Sequence, residues 1–367
     1  MASPDRREGR RSLERVGFVE PGEDRRSGSY LIEGMGSAET TAGHGGLTVI
    51  SMAEACKRDP SIDELRFSLV DPSESEEARI VAERRPVAGV FVCVEAGTDV
   101  LLPAQSCFVL KAQRSEQVLH NVIVLEPEAH LDLISGCTAA GYDLEGRHIA
   151  VTEIFVREGA SLTYTMIHDW APGVRVTPIS AAHVGPGARF ASTYIALTQA
   201  KLVRMDPSAV VEEGASASMG TLIYGHTGSS FDVWGRLDLV GDGAGGEITS
   251  RAVAERCRIV VRGKIVATGA HAKGHMECNG LVLEPGGSIH AVPELDARTP
   301  DGDLSHEAAI GRIGQEKLMY LMSRGLSEEQ ATSLIVQGFL RAEIEGLPAD
   351  LRASIERLID GMSGRGI

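Results

Sequence analysis

Runs of alternating apolar and polar residues recur through the middle of the chain, from about residue 87 to residue 290. In one of these runs, Leu162, Tyr164 and Met166 share one side, and serine and threonine residues occupy the other. A period of two is that of a β-strand, because successive side chains point to opposite faces. The pattern therefore predicts that most of this region is strand.

Turns containing an acidic residue or proline, glycine and alanine separate these runs. The first five turns recur at about 27 to 31 residues, a spacing typical of a β-solenoid in which each repeat covers the apolar face of the one before. A β-sandwich also has short strands and glycine turns, but the long, recurrent spacing favours the solenoid. The turns are Glu128-Ala129, Glu158-Gly159-Ala160, Pro186-Gly187-Ala188, Glu213-Gly214-Ala215, Gly243-Ala244 and Pro285-Gly286-Gly287.

The hydrophobic period changes from 2 to about 3.6 beyond these runs, which predicts helices. Residues 314–324 form the first, with Gly325 as its C-cap. Ser327 then begins a capping box that opens a second helix. Pro348 opens a third helix, which Gly361 ends.

The fold class predicted from these patterns is mainly β, a β-helix followed by an α-helical subdomain. Residues 1–86 are expected to be an N-terminal leader and small mixed region, 87–304 the β-helix core, and 305–367 the helical subdomain. The leader is polar and glycine-rich apart from an apolar run at Tyr30–Ile32. A short helix is expected at 51–58, with Ser51 as N-cap.

Composition narrows the function classes. Hydrophobic residues make up 43% of the 367 residues, which is enough for a folded core. The net charge of −15 would repel a phosphate backbone, so nucleic acid is not an expected partner. The sequence has neither an uninterrupted apolar stretch of about 18 residues nor a secretion signal, so we expect a cytoplasmic protein with no membrane partner.

The six cysteines have no repeated close spacing and no CxxC pair. In a reducing compartment this pattern indicates free thiols rather than disulfides. It also gives no support to a zinc ribbon or a ferredoxin-type cluster. The cysteines are Cys56, Cys93, Cys107, Cys137, Cys257 and Cys278.

The densest group of metal-ligand residue types lies between residues 271 and 307. A zinc site on a helix would need His271, His275 and Cys278 to converge, but the neighbouring glycines argue against a helix. In a solenoid, Cys278 could instead face His306 or Glu307 on the next coil, and such a set binds Fe(II) or a nascent cluster loosely. Taken singly, these residues are ordinary buried, capping or surface positions. The group comprises His271, His275, Glu277, Cys278, His290, Glu294, His306 and Glu307.

Two enzyme classes have weaker support. A carbohydrate-active β-helix enzyme needs rows of carboxylates and sugar-stacking aromatics, whereas the chain has only Trp170 and Trp234 as tryptophans. The glycine-rich residues 241–246 lack the GxxxxGK[ST] pattern of a nucleotide site. Neither enzyme class is therefore supported, and the chain is not expected to be an enzyme.

Several segments resemble the SufB/SufD family of iron-sulfur cluster assembly scaffolds. The C-terminal signature of that family is similar to residues 305–313, 320–331 and 335–339. The family's GCTAP, YTTIQNW, QCDSLL and AHTFPY segments resemble residues 135–139, 164–170, 277–281 and 290–294. The resemblance covers roughly residues 90 to 345 and implies a right-handed parallel β-helix with a C-terminal helical subdomain.

The resemblance also implies roles for individual residues. Cys278 matches the SufB cysteine that accepts sulfur and ligates the nascent cluster, Glu307 matches a SufB glutamate ligand, and His306 matches the histidine that SufD contributes. His290 is a further candidate metal ligand. Cys137 and His168 match a proposed sulfur route through the β-helix, although His168-Asp169 replaces the family's Gln-Asn.

Partners follow from the same resemblance. The C-terminal helices are expected to dock on the ABC-type ATPase SufC, and a cysteine desulfurase system is expected to donate sulfur. The cluster would be transient and would form at the interface of a homodimer or a SufB/SufD heterodimer. The alternative is a SufD-type subunit, which binds SufC and a SufB paralogue without a cluster cysteine of its own. No residue indicates whether flavin binds.

Overall fold

The chain forms a parallel β-helix of about eight turns, with helices at its C-terminal end. This computed structural model describes residues 12–20, 26–36, 39–41, 45–341 and 349–362. The strands lie in two sheets, which we call sheet 1 and sheet 2. The predicted fold class is confirmed, and the parallel pairing excludes the β-sandwich.

Two strands make up one coil of the β-helix. From β4 onward, successive strands alternate between the sheets, and each pairs in parallel with the strand two positions later. Only β1 with β2 and β3 with β4 pair antiparallel among the described strands. Sheet 1 contains β1 (Gly28–Glu33), β2 (Glu39–Thr41), β5 (Ala104–Leu110), β7 (His130–Ala139), β9 (Ser161–Asp169), β11 (Arg189–Ala196), β13 (Ser216–Gly225), β15 (Gly245–Ala254), β17 (Lys273–Val282) and β19 (Asp303–Gly311). Sheet 2 contains β3 (Leu47–Ser51), β4 (Val90–Val94), β6 (Ser115–Leu125), β8 (Glu145–Val156), β10 (Gly173–Val184), β12 (Leu202–Val211), β14 (Ser230–Leu239), β16 (Arg258–Ala267) and β18 (Ser288–Ala297).

The corners from sheet 2 into sheet 1 explain the recurring turn motif. Gly159, Gly187, Gly214 and Gly243 each have a φ between 62° and 69°, a region that glycine reaches without steric cost. The N–H of Gly159 donates to the carbonyl of Pro186 in the next coil at 3.0 Å, and the other glycines repeat this bond. The alanine after each glycine is buried inside the corner. The predicted repeat is therefore one coil.

The sixth predicted turn belongs to a different corner. Residues 285–287 connect β17 to β18, from sheet 1 into sheet 2. The corner equivalent to the other five is at residues 270–272, where His271 has a φ of 57°. Because histidine replaces glycine there, the glycine pattern did not reveal that corner.

The interior of the β-helix is filled by alternate side chains of both sheets. Leu162, Tyr164 and Met166 of β9 are at most 8% exposed and belong to this interior core, as their alternation predicts. The outer faces of both sheets are partly covered by other segments. The chain thus has one long core with satellite clusters around it.

The N-terminal region contributes strands to the β-helix. Residues 28–33 form β1, which pairs in parallel with β5. Tyr30 and Ile32 are 1% and 3% exposed. Both belong to the interior core, whereas Leu31 between them packs against a separate cluster on the other face. The inner face of β1 therefore lines the first coil.

Capping residues set the helix boundaries. The Ser51 hydroxyl accepts from the N–H of Glu54 at 3.2 Å, which confirms the predicted N-cap. Ser327 and Gln330 form the predicted capping box, with bonds of 3.2 and 2.9 Å. The helices are α1 (Met52–Arg58), a 3₁₀ helix (Pro60–Leu65), α2 (Glu76–Glu83), α3 (Gln315–Ser323), α4 (Glu328–Arg341) and α5 (Ala349–Met362).

Two helix predictions need comment. Gly325 follows α3 with a φ of 98°, as expected of a C-cap. Pro348 lies outside the described residues, and α5 continues to Met362, one residue past the predicted end at Gly361. No helix in the described residues is long and apolar enough to cross a membrane.

The C-terminal helices pack on the outer face of sheet 1. Val336 and Leu340 of α4 join a cluster that contains Leu222 and Val253 of the sheet. The last strand, β19, extends past the boundary predicted at residue 304. Its inner face closes the final coil. Most of its side chains are exposed, so the apolar pattern did not reveal a strand there.

Candidate functional site

Cys278 points into the interior near the C-terminal end of the β-helix. It lies on β17, where Met276 and Cys278 are 0% and 4% exposed and belong to the interior core. Burial raises the pKa of the Cys278 thiol, the neighbouring Ser250 hydroxyl acts in the opposite sense, and the charge of Glu277 raises it further. All six cysteines are free. Cys278 is therefore held as a protonated thiol, the unreactive form.

The raised pKa predicts how Cys278 reacts with iodoacetamide. Because only the thiolate attacks, and its fraction grows about tenfold per pH unit below the pKa, alkylation should accelerate steeply from about pH 7 to 9. Mass spectrometry of the Cys278 peptide measures the rate. Glutathione in the same tube is the control, and its alkylation rate should level off at a lower pH. A flat profile for Cys278 would contradict the assignment.

His306 shares the inner face with Cys278. On β19, His306 is in register with Met276, and Ala308 is in register with Cys278. The imidazole and the thiol are therefore diagonal neighbours on adjacent strands, on the same side of sheet 1. The Nε2 atom of His306 is buried and has no hydrogen-bond partner among the described residues.

Glu307 faces the opposite way. It is in register with Glu277 on β17. Both residues occupy strand positions whose side chains point outward, because the positions next to them point inward. The Glu277 carboxylate accepts from Arg251 Nη2 at 3.4 Å and also from the Asn279 side chain. Within one chain, the structure does not bring Glu307 to the thiol side of the sheet.

His290 is also separated from the thiol. It lies on β18 in sheet 2 and is exposed, while its neighbours Ile289 and Ala291 pack against the interior core. In the described part of the chain, no three His, Cys, Asp or Glu side chains are grouped so that they could hold a metal ion. Of the expected ligands, Cys278 and His306 lie on the same face of sheet 1, whereas Glu307 and His290 lie elsewhere.

A cavity of about 30 Å³ lies inside the β-helix, and Cys278 lines its C-terminal end. A space of this size holds about one or two water molecules. Gly235 and Gly263 of sheet 2 also line it. The missing side chain at Gly235 leaves space there, whereas the Met276 side chain fills the corresponding place at Gly263. The inward lining residues of sheet 1 include Met166, Ser192, Tyr194, Thr221, Ser250 and Cys278.

One inward position of sheet 1 carries a polar group in nearly every coil. The Ser106 hydroxyl donates to that of Ser135 at 3.1 Å, and the same column ends at Cys278. Only Cys278 stood out from the sequence, because the coil length varies and a serine or threonine in a strand has no distinctive signal. An alignment of the coil sequences with one another, one coil to a row, would have revealed the column. In order, its members are Ser106, Ser135, Met166, Tyr194, Thr221, Ser250 and Cys278.

Cys137 and His168 are neighbours inside the same β-helix. They are in register on β7 and β9, and both are buried. Burial raises the pKa of Cys137 and lowers that of His168, with nearby His148 lowering the latter further. The His168 ring lies 5.4 Å from that of Trp170 and 4.9 Å from that of Tyr194.

The polar atoms of this group have no hydrogen-bond partners among the described residues. They are both ring nitrogens of His168, the indole nitrogen of Trp170 and the hydroxyl of Tyr194. Buried polar groups are normally paired with protein or ordered water. The interior around Cys137 is therefore suited to a small polar species.

A groove opens between α3 and α4, and we call it the helix groove. It has a volume of about 380 Å³ and is lined by Glu316, Lys317, Tyr320, Leu321 and Ile335. Large apolar side chains in and around the groove are exposed: Met319 at 64%, Tyr320 at 59% and Leu334 at 49%. A cluster of exposed apolar residues marks an interaction surface.

The chain is similar to proteins of one family along most of its length. The model of the SUF system FeS cluster assembly SufBD core domain matches residues 108–339. An iron-sulfur cluster assembly SufBD family protein of Archaeoglobus fulgidus is 38% identical over 348 residues, which cover 95% of this chain and 93% of that protein. A SufBD family protein of Methanothermobacter thermautotrophicus strain Delta H is 34% identical over 362 residues, 97% of this chain and 88% of that protein. The iron-sulfur cluster assembly protein SufB of Bacillus subtilis is 28% identical over 277 residues, 74% of this chain and 59% of that protein.

Proposed function

Because this chain belongs to the SufBD family of iron-sulfur cluster assembly proteins, we propose that it is a SufB-type scaffold subunit. Iron and sulfur are its cargo, and it holds them without hydrolysing ATP. The observation that carries this proposal is Cys278, an interior thiol at the C-terminal end of the interior cavity and one strand from the end of sheet 1. A SufD-type subunit would not need a thiol there.

The cluster site is proposed to form where two β-helices meet end to end. β18 and β19 are the terminal strands of their sheets and have an unpaired edge, which is a template for pairing with another chain. Val292, Leu295 and Ile310 are between 38% and 41% exposed there. A second subunit, identical or paralogous, would cover them and add ligands to Cys278 and His306.

Glu307 enters this scheme across the subunit boundary. Its carboxylate lies on the outer face of the terminal strand, where a partner's ligands can reach it. A thiolate, an imidazole and a carboxylate bind iron less exclusively than four thiolates. A scaffold needs such a loose site because it must release the cluster it builds.

The helix groove is the proposed docking surface for a SufC-type ATPase. Its lining combines Tyr320, Leu321 and Ile335 with the charged ends of Glu316 and Lys317. An apolar centre with a polar rim is the anatomy of a protein interface. ATP-driven closure of the ATPase would act on α3 and α4 and, through them, on sheet 1.

Sulfur from a cysteine desulfurase system is proposed to enter near Cys137 and travel inside the β-helix. The strands of Cys137 and Cys278 are five neighbours apart in sheet 1, or about 24 Å at about 4.8 Å per strand. Direct attack of one sulfur on the other is impossible over that distance. A small sulfur species must therefore pass along the polar column.

Closing the interior cavity should block this delivery. Gly235→Val would put methyl groups into the cavity, because a Cβ at Gly235 already lies 3.4 Å from Ile248 and 3.8 Å from Met219. We expect desulfurase-dependent cluster formation to fall by at least about tenfold, while assembly from inorganic sulfide persists. Absorbance spectra of both reactions measure this.

The matched control for this change is Gly235→Ala, whose single methyl group fits at ordinary contact distance. It should retain at least half of the desulfurase-dependent rate. Equal rates for Gly235→Val and the natural chain would rule out delivery through the cavity. Thermal unfolding of each variant separates blockage from misfolding.

Two linked measurements test the scaffold proposal. The native complex is isolated under anaerobic conditions, and mass spectrometry identifies its subunits. The purified chain is then supplied with ferrous iron and sulfide, and its visible charge-transfer absorbance is recorded. An ATPase in the complex together with a cluster on this chain supports the scaffold. An ATPase and a paralogue in the complex, with no cluster on this chain, would show the SufD-type role instead.

A further inference from the structure

Arg251 connects the C-terminal helices to the strand that carries Cys278. It points outward from β15, and its guanidinium lies 5.6 Å from the ring centre of Phe339 on α4. Its Nη2 atom is also 3.4 Å from the Glu277 carboxylate on β17. The side chains of Arg251 and Glu277 are 20% and 33% exposed, so solvent screens this pair only in part.

Phe339 is itself linked to the helix groove. Ile335, which lines the groove, lies one turn before Phe339 on α4. Residues four apart on a helix are neighbours on one face. A displacement of α4 by a protein bound in the groove would therefore move the Phe339 ring relative to Arg251.

On the sheet, Arg251 offsets a like-charge contact. Glu277 and Glu307 are in register on the outer face of β17 and β19, and like charges directly opposite each other destabilise a strand pair. The positive charge of Arg251 beside Glu277 reduces this repulsion. On the inner face of the same two strands, Ala308 is in register beside Cys278, whose side chain is 4% exposed.

We propose that Arg251 is a latch that keeps β19 closed over Cys278 and releases it when α4 moves. With Arg251 in place, the carboxylates of Glu277 and Glu307 tolerate each other and the thiol stays covered. Withdrawal of Arg251 with α4 leaves the carboxylates facing each other, the seam between β17 and β19 weakens, and Cys278 is exposed. This inference rests on the proposed function and names Arg251 as a positioning residue, not a ligand.

The test is the alkylation rate of Cys278, measured by mass spectrometry of its peptide in the isolated complex with the ATPase, with and without ATP. In the natural chain, ATP should accelerate the reaction. Arg251→Gln should raise the rate without ATP by about fivefold, the scale of one lost strand-pair interaction, and ATP should add little more. Phe339→Leu should keep the slow rate and lose the ATP response, because the ion pair survives but its link to α4 does not.

Two further variants make the test specific. Glu307→Gln combined with Arg251→Gln should restore the slow rate, since the repulsion is gone. Arg262→Gln is the matched control: Arg262 lies 5.1 Å from the Trp234 ring centre and 2.7 Å from the Asp232 carboxylate, but on sheet 2. It should leave both the slow rate and the ATP response unchanged. If Arg251→Gln does not fold, Arg251→Lys, which keeps the positive charge, is measured in its place.

The outcomes distinguish the latch from the scaffold itself. An Arg251→Gln complex with the natural slow rate and ATP response would overturn the latch. A natural complex that forms no cluster would contradict the proposed function instead. The alkylation rates of Arg251→Gln and the natural chain can also be compared without the ATPase. Loss of the ion pair should expose Cys278 in the isolated chain as well.

Discussion

Replacing Cys278 by serine is expected to remove most of the cluster that forms on this chain from iron and sulfide. Serine preserves the size of the side chain and a hydroxyl contact with Ser250, but an alcohol does not replace a thiolate as a ligand for iron and nascent clusters. We expect the charge-transfer absorbance and the bound iron to fall by about tenfold or more. Anaerobic absorbance spectra and iron analysis measure the loss.

Cys257→Ser is the matched control for this change. Cys257 and Cys278 are both 4% exposed and both belong to the interior core, but the thiol of Cys257 donates to the carbonyl of Gly225 at 3.1 Å. That variant should retain its cluster. An unchanged spectrum for Cys278→Ser would reject Cys278 as the anchor, and equal losses in both variants would point to general damage to the core.

The β-helix could be predicted because every coil repeats the same physical solution. A residue with positive φ, followed by a small alanine, is needed at each corner, and glycine supplies that geometry at Gly159, Gly187, Gly214 and Gly243. The repeat length follows from their spacing. Glu128 takes the same backbone conformation and was still recognised, because it is the acidic residue of the motif. At His271, which is neither glycine nor acidic, the pattern does not report the corner.

The candidate site was harder to predict because it depends on strand register. Cys278 and His306 are diagonal neighbours on the inner face only because Met276 is in register with His306. A shift by one residue would turn each side chain to the other face. Sequence proximity suggested that His306 and Glu307 act together, whereas alternation along β19 places them on opposite faces.

The terminal coil escaped prediction for a related reason. Most side chains of β19 are exposed, and Leu304 is its only residue that packs against the interior core among those described. Without a row of buried apolar side chains, a strand lacks the apolar alternation that identifies it. The same lack of cover makes this coil suitable for pairing with a second subunit.

A buried glutamate attaches the N-terminal segment to sheet 2. Glu153 on β8 is 0% exposed, and its carboxylate accepts from the N–H groups of Phe67 and Leu69 at 2.6 and 2.7 Å. His120 Nε2 lies 2.7 Å from it, and His120 Nδ1 accepts from Arg66 at 3.2 Å. This arrangement places the histidine proton on Nε2, so the ring is neutral and donates to an ionised Glu153.

Burial alone would raise the pKa of Glu153, but the hydrogen bonds from His120, Leu69 and Phe67 outweigh it, and the pKa lies below its ordinary value of 4.5. A carboxyl with a lowered pKa stabilises the folded state at pH values above its unfolded pKa. Protonation removes this stabilisation as the pH falls through the folded pKa. The attachment of residues 60–83 should therefore weaken in acid.

Glu153→Ala is expected to lower the free energy of opening this segment by about 3 to 5 kcal/mol, because it leaves several buried donors without their acceptor. Amide hydrogen exchange of Phe67 and Leu69 measures the change, which should accelerate exchange by about two to four orders of magnitude. Glu212→Ala is the matched control, since Glu212 contacts His183 at 3.0 Å but its side chain is 39% exposed. That exposed pair should contribute at most about 1 kcal/mol. Similar exchange rates in both variants would contradict the attachment, whereas a loss confined to Glu153→Ala would identify this carboxylate as the group that holds the N-terminal segment on the β-helix.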